Sequence, residues 1–308
     1  MALLLIRNDN NYDSWIKALK AEDPKIAVHT PATVENPGDI HMAITWKAPH
    51  GVFEKYPELK VIGSMGAGVD HLFEDPSLPQ DVPLTRIVDK KLSGDMQEFV
   101  LAQCLNYIKN LTGYTQLQKE GVWKPMSYKR VADVSVGILG FGTLGQAVGK
   151  KLQKTGFKVS GWSQSKKNIA GIKSYKEDAL DEFLEDCEIL VCLLPLTPAT
   201  AEILNQSLFE KLPKGAYLIN VARGGHLKDA DLIAALDQGA LSGAALDVFH
   251  TEPLPEDHPF WQRKEILITP HVASVSNAAS VASQVVENYK RMERGEELLH
   301  QVSQEKRY

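Results

Sequence analysis

The stretch VSVGILGFGTLG, residues 134–145, decides the fold of this chain. Its first six residues are mostly apolar and predict a short buried strand. A glycine-rich turn follows, and residues 146–154 then have the composition of a helix. The spacing G-x-G-x-x-G between a strand and a helix is typical of a dinucleotide-binding turn, so this stretch predicts a nucleotide site.

Each glycine of this turn has its own physical reason. Gly140 permits the tight turn, Gly142 lets the backbone approach a pyrophosphate, and Gly145 lets helix and strand pack closely. The helix N-terminus then offers free N–H groups and the positive end of its dipole to the phosphates. We therefore predict cofactor contacts from Gly140, Gly142, Thr143 and Gly145.

Length and composition limit the possible classes of protein. The 308 residues are enough for two domains, since a domain usually has about 100–200 residues. The net charge is −5 and no long basic tract occurs, which argues against nucleic acid and anionic membranes as partners. No apolar run approaches the roughly 20 residues of a transmembrane helix, and residues 2–6, too short for a signal-peptide core, predict a first strand. Three cysteines in apolar surroundings favour buried thiols in a reducing cytoplasm: Cys104, Cys187 and Cys192.

Strands and helices alternate along both halves of the sequence, which predicts an α/β protein. Before residue 97 we expect strands at residues 3–6, 27–29, 42–45 and 60–63, with helical or turn connections at 12–21 and 51–56. A helix is predicted at 95–111, and the polar residues 112–133 are expected to cover a surface. From Val134 the strands predicted at 134–139, 157–162, 189–193, 216–221, 243–248 and 265–269 imply a doubly wound parallel sheet of about six strands. A last long helix is predicted at 277–294.

A second glycine-rich turn follows the strand predicted at residues 60–63, in the sequence KVIGSMGAGVD (residues 60–70). Because no G-x-x-G helix follows it, this turn can present bare N–H groups to a small anion instead of a dinucleotide. The alternative is a turn that only needs positive φ at Gly66 and Gly68, and the residues alone favour that alternative.

The second strand of the nucleotide-binding pattern predicts which dinucleotide is bound. An acidic residue about 20 positions after the glycines normally accepts hydrogen bonds from the ribose 2′-hydroxyl. At that place this chain has Ser163, followed by Ser165, Lys166 and Lys167. Hydroxyl and ammonium groups favour a 2′-phosphate, which a carboxylate would repel, so NADP(H) is preferred and NAD(H) is the alternative. The competing interpretation is that the two lysines are solvated loop charges.

Three chemically capable residues follow the ends of three predicted strands. Ligands of open α/β sheets bind beyond the carboxyl ends of the strands, so Arg223, Glu252 and His271 are expected to converge near the nicotinamide. His271 can donate a proton to the oxygen of a carbonyl that receives a hydride, and Glu252 can fix its tautomer. Arg223 can bind a substrate carboxylate and polarise the carbonyl. Each alone also has a structural explanation, namely a surface ion pair, a proline turn and a strand end.

Two histidines near Glu252 suggest a metal site that we do not expect. His250, Glu252 and His258 lie in HTEPLPEDHP, whose internal prolines prevent the single helical face that zinc-binding histidine pairs usually need. We predict no metal.

Several segments together resemble the D-isomer-specific 2-hydroxyacid dehydrogenases. They are GILGFGTLG (137–145), LPKGAYLINVARGG (212–225), ALDVF with EPLP (245–255) and TPHVAS (269–274). Finer features resemble the glyoxylate/hydroxypyruvate reductase A branch of that family: ITWKAP (44–49), MGAGVD (65–70), MQEFVLAQ (96–103), WKP (123–125), GWSQSKK (161–167), LPEDHPFW (254–261) and the C-terminal Gln301, Val302 and Tyr308.

The resemblance implies an architecture and a set of further contacts. It implies two Rossmann-like, doubly wound parallel-sheet domains with a cleft between them: a flavodoxin-like catalytic domain at 1–97 plus 276–308 and an NADP-binding domain at 98–275. It also implies a cytosolic homodimer to which an arm near residues 95–130 contributes. Ala67 and Gly68 would hold the substrate carboxylate through backbone N–H groups, which overturns the preference stated above for a purely structural turn. Trp46 and Trp123 would wall the substrate pocket. Further cofactor contacts would come from Leu144, Gly145, Pro195, Val221, Ala222 and Asp247.

The activity expected from this resemblance is reduction of small 2-oxo acids with NADPH, glyoxylate to glycolate and hydroxypyruvate to D-glycerate. Alternatives are another dehydrogenase of the family, of the D-lactate, phenylpyruvate or phosphoglycerate type, and a non-catalytic scaffold that senses a dinucleotide. The extra regulatory domain common in phosphoglycerate dehydrogenases is not expected, because this sequence ends shortly after the last predicted helix.

Overall fold

The computed structural model describes residues 1–305 and 307; Lys306 and Tyr308, the latter part of the resemblance above, lie outside the described residues. The chain forms two compact units. The first contains Met1–Leu92 and the chain from Val275 onward, and the second is Ser93–Ser274. Each unit contains one parallel sheet with helices, which confirms the predicted α/β class.

The first unit contains a five-stranded parallel sheet in the order β2-β1-β3-β4-β5. This order is that of flavodoxin-like doubly wound sheets. Its strands are β1 (Ala2–Arg7), β2 (Val28–His29), β3 (Ile40–Trp46), β4 (Val61–Ser64) and β5 (Leu84–Thr85). Its helices are α1 (Asp13–Glu22), α2 (Asp70–Phe73) and α9 (Ala278–Arg294), and the start of α3 (Lys90–Ile108) also falls in it.

Strand β1 shows why this sheet is covered on both faces. Successive side chains of a strand point to opposite faces. Leu3 and Leu5 pack in one apolar cluster with residues of helices α1 and α9. Leu4 and Ile6 pack in a second cluster on the other face. A strand buried on both sides has a continuous apolar sequence, as ALLLI does.

The second unit contains a seven-stranded parallel sheet in the order β12-β11-β10-β9-β6-β7-β8. The chain order reverses between β6 and β9, and such a switch point is where ligands of doubly wound sheets bind. The strands are β6 (Ser135–Leu139), β7 (Lys158–Trp162), β8 (Lys173–Tyr175), β9 (Ile189–Cys192), β10 (Ala216–Asn220), β11 (Leu241–Leu246) and β12 (Ile266–Ile268). The helices that follow α3 are α4 (Leu111–Lys119), α5 (Thr143–Thr155), α6 (Leu180–Leu184), α7 (Gln206–Phe209) and α8 (Asp229–Asp237).

The structure contains two strands that the sequence did not predict. Strands β5 and β8 were not expected, because each has only two or three residues and lacks an apolar run. They are held by pairing with β4 and β7, which a local pattern does not reveal. Helix α4 begins the segment that was expected to cover a surface, and none of its residues is buried in this chain.

The three thiols are buried and free, as the sequence predicted. Burial raises the pKa of the thiols of Cys104, Cys187 and Cys192 to about 12. They are therefore protonated and unreactive at neutral pH. Separately, no helix within residues 1–305 and 307 combines the length and apolar composition needed to cross a membrane.

Candidate active site

The glycine-rich turn after β6 requires glycine for steric reasons at two positions. Gly140 has φ of 107°, and a β carbon there would lie 2.6 Å from the backbone of Leu193 at the end of β9. At Gly145 a β carbon would lie 2.1 Å from the carbonyl oxygen of Gly140. The turn therefore packs against the neighbouring strand end and brings helix α5 close to β6.

Glycine is suited to position 142 for a different reason than at positions 140 and 145. A β carbon at Gly142 would meet no atom within 4 Å, so the space beside it is open. Gly142 is also the N-cap of helix α5, and no side chain caps the N–H groups there. An open cradle beside uncapped N–H groups at the start of a 13-residue helix fits a pyrophosphate. This fit supports a dinucleotide, and Thr143 and Leu144 form the first turn of that helix.

The loop after β7 contains hydroxyl and ammonium groups. The Ser163 hydroxyl donates to the carbonyl oxygen of Ser165 at 3.0 Å, and the Lys167 ammonium donates to the Ser165 hydroxyl at 2.6 Å. Lys166 is exposed beside them. The ammonium that contacts a serine is that of Lys167. A loop with these donors fits a 2′-phosphate better than a bare 2′-hydroxyl.

The predicted catalytic residues follow three neighbouring strands of one sheet. Strands β10, β11 and β12 are adjacent and parallel, with Asn220 in register with Leu246, and Leu246 with Ile268. Arg223, Glu252 and His271 come after these strand ends. The carboxyl ends of parallel strands lie at one edge of a sheet, so the loops that contain these three residues all begin at the same edge.

Glu252 and His271 form a direct pair. The Nδ1 atom of His271 lies 2.9 Å from Oε2 and 3.1 Å from Oε1 of Glu252. Glu252 Oε1 also accepts a hydrogen bond from the backbone N–H of Phe249 at 3.1 Å. Because a carboxylate accepts, Nδ1 must carry a proton in this pair, and Nε2 is the ring nitrogen that does not face Glu252. The side chains are partly exposed, 29% for His271 and 20% for Glu252.

Asp247 holds the loop that contains His271. Its carboxylate accepts from the Thr269 hydroxyl at 2.6 Å and from the backbone N–H groups of Val272 and Ala273 at 2.9 and 2.8 Å. Its carbonyl oxygen accepts from the His271 N–H at 2.8 Å. His271 has φ of 54°, a conformation rare for residues other than glycine. The family resemblance suggested Asp247 as a cofactor contact; the structure adds that it fixes the backbone around His271.

Two buried features fix the loop that contains Arg223. Asn220 Nδ2 donates to the Arg223 carbonyl oxygen at 3.1 Å, and Asn220 Oδ1 accepts from the Ala222 N–H at 3.2 Å. A β carbon at Gly224 would lie 2.0 Å from the backbone of Phe249. The loop of Arg223 therefore packs directly against the loop that leads to Glu252. Sequence reasoning missed Asn220 and Gly224, although both lie within the quoted NVARGG segment.

Other predicted cofactor residues lie at the same sheet edge. Val221 and Ala222 are buried immediately after β10. Pro195 is exposed three residues after β9, and its carbonyl oxygen accepts from the Thr200 hydroxyl at 2.7 Å. All three therefore lie beyond the carboxyl end of a strand, where a cofactor of this sheet is expected.

The second glycine-rich turn lies in the first unit, after β4. Ala67 and Gly68 are partly exposed there. The φ angle of Gly66 is not positive, so the expectation of positive φ at Gly66 was wrong. Glycine is needed for another reason, because a β carbon would lie 2.8 Å from the ring of Trp46. Trp123, suggested as a pocket wall, is fully exposed in this chain.

The two histidines near Glu252 lie beside the carboxylate of Asp229. Nε2 of His258 lies 3.3 Å and Nε2 of His250 lies 3.7 Å from the carboxylate of Asp229. Across the described part of the chain, no group of three or more candidate ligands is arranged to hold a metal ion.

Relatives of this chain are found by sequence and by structure. The profile of the family described as D-isomer specific 2-hydroxyacid dehydrogenase, NAD binding domain, matches residues 101–273. The glyoxylate/hydroxypyruvate reductase A of Serratia proteamaculans (strain 568) is 39% identical over 295 residues, 93% of each chain.

Two solved structures are similar over almost the whole chain. A D-isomer specific 2-hydroxyacid dehydrogenase from Xanthobacter autotrophicus Py2, in complex with NADPH and MES, has a TM-score of 0.94 and 39% identity, covering 100% of this chain and 99% of that one. An NADPH-dependent glyoxylate/hydroxypyruvate reductase from Sinorhizobium meliloti, in complex with NADP and sulfate, has a TM-score of 0.93 and 40% identity with the same coverage. These likenesses confirm the family resemblance: the chain belongs to the D-isomer-specific 2-hydroxyacid dehydrogenases.

Proposed function

We propose that this protein is an NADPH-preferring reductase of small 2-oxo acids, which reduces glyoxylate to glycolate and hydroxypyruvate to D-glycerate. The observation that carries the proposal is the Glu252–His271 pair. This pair and the glycine-rich turn after β6 both come after the carboxyl ends of strands of the same parallel sheet. The relatives named glyoxylate/hydroxypyruvate reductase support this choice of substrate.

In this proposal the chain's own residues donate one proton to the substrate carbonyl and bind the substrate carboxylate. NADPH, when bound, supplies the hydride that adds to the carbonyl carbon. His271 donates the Nε2 proton to the carbonyl oxygen, so that a hydroxyl forms as negative charge develops there. Glu252 holds the imidazolium before the transfer and fixes its tautomer. Arg223 polarises the carbonyl and binds the carboxylate.

Ala67 and Gly68 bind the same substrate carboxylate as Arg223 in this proposal. Their backbone N–H groups lie in a turn that follows a buried strand. Successive N–H groups of such a turn bind anions such as a carboxylate. Trp46 packs over the neighbouring Gly66 and would limit the size of the substrate.

The preference for NADPH rests on the loop after β7. Ser163, Ser165 and Lys166 would contact the 2′-phosphate, together with Lys167. The solved relatives from Xanthobacter autotrophicus and Sinorhizobium meliloti bind NADPH and NADP, respectively, which supports this assignment.

We further propose a homodimer located in the cytoplasm. Helix α4 and the segment after it expose several large apolar side chains, and contiguous exposed apolar surface marks an interface. These side chains are Leu111, Tyr114, Val122, Trp123, Met126 and Tyr128. Light scattering on the purified protein should give twice the 34.1 kDa chain mass, and Trp123→Asp should reduce it to one chain.

A substrate panel tests the proposed activity. Oxidation of NADPH is followed with glyoxylate, hydroxypyruvate, pyruvate and phenylpyruvate, and then repeated with NADH. We expect the highest kcat/KM with glyoxylate or hydroxypyruvate and NADPH. A clear preference for pyruvate or phenylpyruvate would assign the chain to another branch of the family. Absence of turnover with every pair would favour a non-catalytic dinucleotide-sensing scaffold.

A further inference from the structure

Ser64, the last residue of β4, makes three hydrogen-bond contacts within the turn that follows it. Its hydroxyl oxygen lies 3.1 Å from the backbone nitrogen of Gly66, 2.7 Å from the carbonyl oxygen of Gly68 and 3.1 Å from Nε2 of His71. The Ser64 side chain is only 1% exposed. One buried hydroxyl thus connects both ends of the turn that contains Ala67 and Gly68.

The number of protons fixes how these contacts are made. A hydroxyl has one proton to donate, and the Gly68 carbonyl oxygen can only accept, so the Ser64 proton goes to Gly68. The Gly66 N–H donates to Ser64. His71 Nε2 must then also donate to Ser64, because the hydroxyl has no second proton. The contact therefore requires His71 to carry a proton on Nε2.

His71 is held in place by its surroundings. It lies in the short helix α2 directly after the turn and is 6% exposed. Its ring centroid lies 5.0 Å from that of Trp46, with an interplanar angle of 59°. A β carbon at Gly66 would lie 2.8 Å from the same Trp46 ring, so this ring also packs against the turn. A donor on a fixed ring thus fixes the orientation of the Ser64 hydroxyl.

These contacts leave two N–H groups of the turn for a ligand. The Gly66 N–H is used by Ser64, and the Gly66 carbonyl oxygen accepts from the Ile87 N–H at 3.0 Å. Within residues 1–305 and 307, no hydrogen bond is formed by the backbone N–H of Ala67 or of Gly68.

We propose that Ser64 and His71 are positioning residues, which hold the turn so that the N–H groups of Ala67 and Gly68 point together at the substrate carboxylate. This inference rests on the proposed function of that turn. Neither residue touches the reacting atoms. Their effect is on binding of the carboxylate, which is common to the ground state and the transition state. Loss of such binding raises KM and leaves kcat nearly unchanged.

The test compares steady-state kinetics of Ser64→Ala, His71→Leu and His71→Gln with glyoxylate and NADPH. Ser64→Ala and His71→Leu should raise KM for glyoxylate by about 10-fold with kcat within about two-fold of the unsubstituted protein. His71→Gln can place its amide N–H near the position of Nε2 and should restore KM to within about three-fold. The KM for NADPH should not change in any of them.

Ser77→Ala is the matched control. The Ser77 hydroxyl donates to the carboxylate of Asp75 at 2.6 Å, in the same unit and after helix α2 in sequence. Ser77→Ala should lower the midpoint of thermal unfolding, because it removes a side-chain hydrogen bond, and should leave KM for glyoxylate unchanged. A purely structural role of Ser64 would give the same result as Ser77.

The outcomes separate this inference from the proposed function. If the unsubstituted protein does not reduce glyoxylate, the proposed function fails and the inference fails with it. If it does, and Ser64→Ala leaves KM for glyoxylate unchanged or lowers kcat alone, the inference is wrong while the function stands. If Ser64→Ala does not fold, the comparison of His71→Leu with His71→Gln tests the inference. Equal KM values for glyoxylate in these two variants would contradict it.

Discussion

The carboxylate of Glu252 lies 2.9 Å from Nδ1 of His271, although 18 residues and strand β12 separate the two in sequence. The pair is brought together because β11 and β12 are adjacent parallel strands whose carboxyl ends meet at one edge. The loop of Arg223 follows the next strand and packs on the loop before Glu252 through Gly224. The fold thus brings the Glu252–His271 pair and the loop of Arg223 to the carboxyl ends of three adjacent strands.

Glu252→Gln tests the role of the carboxylate. Glutamine keeps an oxygen acceptor for Nδ1 but has no negative charge to stabilise the imidazolium. We expect kcat to fall by about 10- to 100-fold, with KM for NADPH unchanged, because an acid–base partner contributes to the transition state. Glu256→Gln, at an exposed position in the same loop, is the control and should keep full activity. Full activity of Glu252→Gln would show that Glu252 only supports the loop.

Arg223→Lys separates the guanidinium geometry from its charge. Lysine keeps the positive charge but cannot form two parallel hydrogen bonds to a carboxylate. We expect kcat/KM for glyoxylate to fall by about 100-fold or more, corresponding to at least about 2.7 kcal/mol of transition-state stabilisation. Binding of NADPH, measured by fluorescence titration, should be unchanged. A kcat/KM equal to that of the unsubstituted protein would exclude Arg223 from the site.

Ser163→Asp tests the basis of the cofactor preference. A carboxylate at this position would accept hydrogen bonds from a ribose 2′-hydroxyl and repel a 2′-phosphate. We expect KM for NADPH to rise by about 10-fold or more and KM for NADH to fall, since one repulsive charge pair costs on the order of 1 kcal/mol or more. Lys167→Ala should raise KM for NADPH without improving NADH. If the ratio of the two KM values stays constant in Ser163→Asp, the 2′-phosphate does not bind at this loop.

The buried thiols predict a loss of stability in alkali. Burial raises the pKa of the thiols of Cys104, Cys187 and Cys192 from the ordinary 9.0 to about 12. In the unfolded chain these thiols ionise at lower pH, so the stabilisation is complete below about pH 9 and decreases as the pH rises from about 9 to 12. Urea denaturation should give a lower free energy of unfolding at about pH 10.5 than at about pH 8, and the Cys192→Ala variant should show a smaller decrease. An equal free energy of unfolding at both pH values would contradict this prediction.

The sequence predicted the elements whose signals are local. An apolar run and a fixed glycine spacing predicted the strand and the glycine-rich turn at 134–145, and both are present in the structure. The residues after the ends of β10, β11 and β12 could be found because chemically capable side chains follow predicted strands. The expectation that they lie close together required only that parallel strands end at one edge, and the contact of Glu252 with His271 agrees with it.

Other features depend on contacts between residues distant in sequence. The three hydrogen bonds to the Asp247 carboxylate come from residues 269–273, which no spacing rule connects with it. Gly66 was expected to need a positive φ, whereas its lack of a side chain makes room for Trp46 from another strand. The contact of Ser64 with His71 likewise exists only once β4 and α2 are folded around the turn. Periodicity and motifs cannot predict such tertiary contacts, because they describe neighbours along the chain.

The most direct test of the central claim is the rate of NADPH oxidation by glyoxylate for the unsubstituted protein and for His271→Gln, measured side by side with the affinity for NADPH. We predict steady turnover by the unsubstituted protein, a kcat lower by about 10²- to 10⁴-fold in His271→Gln, and equal NADPH affinity in both, because His271 donates the proton and does not hold the cofactor. Equal turnover by the two proteins, or no turnover by the unsubstituted protein with any 2-oxo acid, would contradict the account.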